Sequence, residues 1–163
     1  MDTGGMKEHG LEADDLIGIL SSDPNYSKEE HWIVSGDKDL DQLEGKHYWP
    51  SEDGGRFWEV SEQQARHKFW LQTLVGDSTD DIPGCPTIGD KRGAAALEGC
   101  TTDVEYWEKI VSTYEKQLKT REDAEKAAVL TANLVRIMRH GDYDWKTSTV
   151  SEWTPPISTA TGD

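Results

Sequence analysis

An α/β fold, a partial parallel sheet followed by a helical region, is the class this sequence predicts. Three observations carry the prediction. A helical segment with an acidic first turn leads through a polar stretch into a short apolar strand; an aromatic hairpin pattern follows; and the text from Ser61 to about Arg139 then turns helical. At 163 residues the chain has the length of one ordinary globular domain, enough to bury a real core.

The first ten residues, MDTGGMKEHG, are polar and glycine-rich, so 1–10 reads as a loose lead-in. LEADDLIGILSS spaces Leu11, Leu16, Ile19 and Leu20 at helical intervals behind acidic residues, which suit the positive end of a helix dipole. In HWIVSGDKDL the run Trp32-Ile33-Val34 is apolar, partly β-branched and stopped by Ser35-Gly36, as expected of a buried strand ending in a loop. In α/β sheets ligands gather beyond the carboxyl ends of strands, where Asp37 and Asp39 stand. KHYWPSEDGGRFWEV then reads as a β-hairpin with a multi-residue turn.

SEQQARHKFWLQTLVG opens with a capping Ser, places Ala65, Phe69, Leu71, Leu74 and Val75 largely on one side, and ends at Gly76. Three further helices are expected over about 90–97, 104–118 and 122–139. The tail from Thr147 is polar with paired prolines and is expected to drape over the surface or be disordered. The predicted organisation is thus a lead-in over 1–10, an α/β core over 11–75, a helical region over 76–146 and a polar tail over 147–163.

Lys and Arg total 17 against 32 Asp and Glu, a formal charge of −15, which by itself argues against a polyanionic partner. Divalent cations held by converging acids would reverse that balance locally, so acidity does not exclude nucleic acid. No long apolar run and no signal peptide place the chain in a membrane, and a soluble, cytoplasmic protein is expected. Cys85 and Cys100 match neither a secreted framework nor a zinc spacing and read as reduced thiols. Most of the seven tryptophans read as core or interface residues.

Three acidic groupings stand at element boundaries: Glu12, Asp14 and Asp15; Asp37, Asp39 and Asp41; Asp77, Asp80 and Asp81. Singly, each is what caps, turns and solvated charge look like. Together, carboxylates from three segments suit hard divalent ions such as Mg2+ or Mn2+, and two such ions serve an in-line displacement at phosphorus. The stretch GCPTIGDKRGAAAL adds Gly84 and Gly89 around a short hairpin, with Lys91 and Arg92 in the next helix's first turn. It reads either as a glycine-rich connector or as a grip on a phosphate backbone through free N–H groups and two cations.

The order EADD, SGDKDLDQL, then GDSTDDIPG running into GCPTIGDKRGA resembles the C-terminal part of the 5′-nuclease superfamily of flap endonucleases and 5′-3′ exonucleases, whose α/β core is PIN-like. Downstream, TANLVRIMRHGDYDW and EWTPP are similar to exonucleases of T-odd podophages. The resemblance spans about 11–156. It implies that Glu12, Asp14 and Asp15 serve one metal, that Asp37, Asp39, Asp77 and Asp80 serve or bridge to a second, and that Asp37, Asp39 and Asp77 are catalytic. Asp41 and Asp81 match less cleanly. It further implies a helix-three-turn-helix in which Gly84, Ile88, Gly89, Lys91 and Arg92 bind the uncut DNA duplex, with K+ on hairpin carbonyls. In this family about half of the nuclease domain precedes EADD and carries a central strand, further aspartates and a basic arch. The expectation is therefore a two-metal exonuclease or flap endonuclease portion, acting on duplex 5′ ends or flaps in the cytoplasm of a phage-infected bacterium, and needing a separate N-terminal half. The alternative is a DNA-binding remnant without turnover. Absence of the family's central strand should leave a sheet edge or face uncovered.

Overall fold

A computed structural model of the chain describes residues 6, 8, 10–26 and 31–156. Most of the expected lead-in over 1–10, and the end of the tail over 157–163, lie outside the described residues. In chain order the elements begin with α1 (Ala13–Ser21), β1 (Trp32–Val34), a 3-10 helix (Lys38–Gln42), β2 (Gly45–Trp49), β3 (Arg56–Val60) and α2 (Glu62–Val75). They continue with β4 (Gly76–Asp77), β5 (Ile82–Pro83), α3 (Asp90–Ala96), α4 (Asp103–Leu118), α5 (Arg121–Val135), β6 (Tyr143–Asp144) and β7 (Thr149–Val150). Two compact units result: Met1–Ser61 with Ile137–Ser151, and Glu62–Arg136 with Glu152–Asp163. The boundary expected after residue 75 falls at Ser61 instead, because α2 buries its apolar side against α3, α4 and α5.

In the first unit β1 pairs in parallel with β2, and β2 pairs antiparallel with β3, with Tyr48 opposite Phe57 and His47 opposite Trp58. β1 is not the fully buried strand its composition suggested. Successive strand residues face opposite sides; Ile33 is buried with Leu40, Leu43 and Ile137, whereas Trp32 and Val34 stay 45% and 57% exposed. Phe57 shares that outer face at 63% exposure, with Tyr48 stacked on it. α1 approaches the segment after α5 closely: a Cβ on Gly18 would lie 2.2 Å from Met138 O, so only glycine fits. Ser22 then accepts the His140 N–H at 2.7 Å.

The second unit is a helical bundle around Trp70, Leu74, Ile110, Tyr114, Ala124 and Ala128. Ala124, Ala128 and Ala132 recur every four residues and are wholly buried, which lets α5 lie close to its neighbours. α4 starts on a capping box in which Thr102 accepts the Glu105 N–H and Glu105 reaches back to the Thr102 N–H. α5 stops at Val135 rather than near Arg139, since Arg136 is extended and Ile137 enters the first unit's core. The predicted polar tail is largely exposed over its described residues 147–156. Thr149–Val150 pairs with Tyr143–Asp144, and Trp153 packs among Phe69, Trp70 and Trp107. Asn133 holds it there, accepting the Trp153 N–H at 2.8 Å and donating to Trp153 O at 3.2 Å.

Candidate functional site

Within the first unit, α1 begins on Glu12, which is exposed and makes no side-chain cap. Asp14 accepts the Asp15 N–H at 2.9 Å, and Asp15 accepts the Met138 N–H at 3.2 Å, so the first turn is tied to the segment after α5. Burial raises the Asp14 pKa above the ordinary carboxylate value, and the negative charges of Asp15 and Asp37 raise it further. Carboxylates from α1 and from the loop after β1 are therefore within electrostatic reach of one another. Asp37 caps the 3-10 helix, its Oδ1 accepting the Asp39 N–H at 2.9 Å. Asp41 lies on the same short helix but receives the Trp58 indole N–H at 2.9 Å. One of its two carboxylate oxygens is thereby engaged within the fold.

In the second unit Gly76 ends α2 at φ +75°, and a Cβ there would meet Ile82 O at 2.2 Å. On Gly84 a Cβ would lie 2.1 Å from Val75 C, so both glycines are demanded by the tight β4–β5 turn. That turn buries Asp77, whose Oδ1 accepts the Thr79 N–H at 2.7 Å and whose Oδ2 lies 3.4 Å from Gln72 Nε2. Asp80 is exposed and offers a carboxylate oxygen within 4.8 Å of one from Asp77. Asp81 sits at φ +56° on the outside of the turn.

The hairpin that follows is pinned by Cys85 N–H to Leu74 O at 2.8 Å and Ile88 N–H to Cys85 O at 3.1 Å. Ile88 packs its side chain on the helical core, so any ligand contact there is left to its backbone. Arg92 donates to Thr87 O at 3.1 Å, and Thr87, Gly89, Asp90, Lys91 and Arg92 line an open recess of about 340 Å3. Gly89 differs from Gly76 and Gly84: its φ is −108°, and a Cβ would meet nothing within 4 Å. Among the described residues, no packing requires glycine at this position.

The first unit thus brings together Asp14, Asp15 and Asp37, with Asp39 bonded to Asp37; the second brings together Asp77 with Asp80, and Gly89 with Lys91 and Arg92. Sequence reasoning missed Trp58, Gln72 and Asn133, whose partners lie 17, 5 and 20 residues away. No local pattern signals such pairings. All the acidic donors are carboxylate oxygens, a set that fits hard divalent cations and not soft ones.

No family model matches the chain. It is 30% identical over 143 residues to DNA polymerase I of Bacillus subtilis, covering 78% of this chain and 16% of that protein. It is 28% identical over 141 residues to a 5′-3′ exonuclease of Halalkalibacterium halodurans, covering 77% of this chain and 46% of that protein. The chain therefore spans less than half the length of these relatives. Among solved structures it matches a phage T5 5′-exonuclease mutant with TM-score 0.55 at 20% identity, covering 76% of this chain and 56% of that one. A T5 flap endonuclease in complex with DNA and metal ions matches with TM-score 0.54 at 20% identity, covering 76% and 50%. At these identities the likeness establishes a shared fold.

Proposed function

From the premise that the chain belongs to the 5′-nuclease superfamily of 5′-3′ exonucleases and flap endonucleases, we propose that it serves metal-dependent hydrolysis of DNA from 5′ ends or flaps. The observation that carries this reading is the mutual proximity of carboxylates in the first unit. Burial, and then the charges of Asp15 and Asp37, disfavour ionisation of Asp14; a divalent cation would offset that repulsion. The proposed ligands are Glu12, Asp14, Asp15, Asp37 and Asp39 in the first unit, and Asp77 and Asp80 in the second. Bound Mg2+ or Mn2+ would lower the pKa of an attacking water and offset charge on the phosphodiester. Asp37, Asp39 and Asp77 are the residues whose loss should abolish turnover.

Gripping the duplex falls to the hairpin. Gly89 leaves the backbone open to an external oxygen, and Lys91 and Arg92 are exposed cations in an acidic chain. Such contacts fix position on DNA without reading sequence. Hairpin carbonyls could also take K+, although Thr87 O already accepts from Arg92. The apolar outer face of the sheet, with Phe57 63% exposed, and the greater length of the relatives both support a need for a further polypeptide half.

Incubating the purified chain with 5′-labelled duplex and flap substrates tests this, in Mg2+ or Mn2+, with and without the N-terminal half of a related phage exonuclease. Cleavage that Asp77→Ala abolishes is the expected result with the half supplied. Salt-sensitive DNA binding with no cleavage under any condition would leave the second reading, a grip without chemistry; the self-contained hairpin recess favours that alternative.

A further inference from the structure

We infer that Trp58 is a positioning residue for Asp37 and Asp39, acting through Asp41 and the 3-10 helix; the inference rests on the metal-binding reading above. A five-residue 3-10 helix has few hydrogen bonds of its own and weak geometry, so it holds side chains in fixed relation only if tied from outside. Here the ties converge on its last turn. Trp58 on β3 donates its indole N–H to Asp41 Oδ1 at 2.9 Å across 17 residues of chain.

The indole is itself held. Its ring stacks on the buried His47 with centroids 5.2 Å apart and planes 25° apart, and the Arg56 guanidinium lies 5.0 Å from its centroid. His47 Nε2 in turn sits 3.0 Å from Leu43 O, the residue that caps the helix. Gln42 adds a third tie, accepting the Ile137 N–H at 3.2 Å and, on its carbonyl, Arg139 at 2.6 Å. One aromatic pair from β2 and β3 thereby fixes the end of the helix through a carboxylate and a carbonyl. The opposite end carries Asp37 and Asp39, already bonded to each other. Loss of the indole N–H would release Asp41 and let the turn that carries both carboxylates drift.

The test is Mn2+ titration of the purified chain, with free Mn2+ read by electron paramagnetic resonance and the fold of each variant checked by circular dichroism melting. Trp58→Phe keeps the stacked ring and removes the donor; Asp41→Ala removes the acceptor; Asp41→Asn removes the charge but still accepts from the indole. Outer partners of ligands typically change metal affinity 10–100-fold, so Trp58→Phe and Asp41→Ala should each bind Mn2+ about tenfold more weakly without a lower melting point, with Asp41→Asn within about threefold of wild type. Wild-type affinity in Trp58→Phe would overturn the inference. So would equal losses in Asp41→Asn and Asp41→Ala, because Asp41 would then act by its charge as a ligand. Should Trp58→Phe fail to fold, the two Asp41 variants decide alone, Asp41 being half-exposed on the helix. A wild-type chain that does not bind Mn2+ would overturn the metal reading and this one with it, whereas wild-type binding with unchanged variants overturns this one only.

Discussion

The two units solve the problem of burial differently. The helical unit closes on itself: Leu74, Ile110, Val111, Ala124, Ala128 and Ala132 are wholly inaccessible, and a tryptophan from the chain's far end fills the remaining space. Among the described residues the α/β unit gathers Ile33, Leu40, Leu43 and Ile137 into its cluster, with Leu16, Ile19, Val60 and Tyr143 also buried, and leaves Trp32, Val34 and Phe57 on an open sheet face. Acidic side chains meet both donors and one another in each unit: Asp14 lies near Asp15 and Asp37 while Asp41 accepts from Trp58, and Asp77 lies near Asp80 while Asp103 and Glu105 accept from donors. The larger described cluster of buried apolar side chains lies in the helical unit, which nonetheless leaves Leu130 and Leu134 exposed on α5.

The largest effect that could break this comparison is a cavity. Ile110→Ala should cost about 2–5 kcal/mol, as measured by urea denaturation, because its close-packed neighbours cannot collapse into the gap. Ile33→Ala, in the thinner cluster, should cost less than Ile110→Ala; equal losses would mean that the α/β unit is as well packed as the bundle. A smaller effect is expected at the tail. Asn133→Ala removes both bonds to the Trp153 backbone and should destabilise the helical unit by about 1–3 kcal/mol, with Trp153 fluorescence shifting to the red as its ring gains solvent.

Lys91→Ala sharpens the comparison without touching either core. The melting temperature should stay within error, while the slope of log affinity for duplex DNA against log salt falls by about 0.9 if the ammonium meets one phosphate. An unchanged slope would remove Lys91 from the grip.

The smallest effects have opposite signs in the two units. Glu105 is held down to about 2 by hydrogen bonds from the Thr101 and Thr102 N–H groups and then the two hydroxyls. Its depressed folded value means its contribution is complete above the ordinary carboxylate pKa and is lost as pH falls toward 2. Asp14 is raised, so its contribution is complete below its unfolded pKa and is lost as pH rises through the folded value. In EDTA at pH 7, Asp14→Asn should therefore raise the melting temperature and Glu105→Gln should lower it. The Glu105→Gln difference should shrink as pH falls toward 2, and a melting series from pH 2 to 7 reads both signs.

Much of the fold was legible in the residues themselves. Trp32–Val34 forms a strand over its predicted bounds, the Gly54-Gly55 hairpin forms, and Gly76 terminates α2 because no other residue fits its φ and its neighbours. What stayed hidden depends on distant partners. Arg136 leaves the helix because Ile137 finds a core elsewhere, and the buried Gln42 is tolerated because it meets the Ile137 N–H, a partner 95 residues away that no spacing rule supplies. For the site, the clustering of acids at element boundaries was legible; that Asp41 serves Trp58 required the third dimension.

The clamp that Asn133 places on Trp153 has a consequence for the order in which this protein can be made. The chain leaves the α/β unit at Ser61, returns to it at Ile137 and goes back to the helical unit at Glu152. On a ribosome the first unit still lacks 137–151 when β3 emerges, and the second still lacks Trp153 when α5 emerges. Both are therefore completed at nearly the same moment, once residues 137–153 have been made. Expression fragments cut at either of the first two crossings would each contain a unit with part of itself missing.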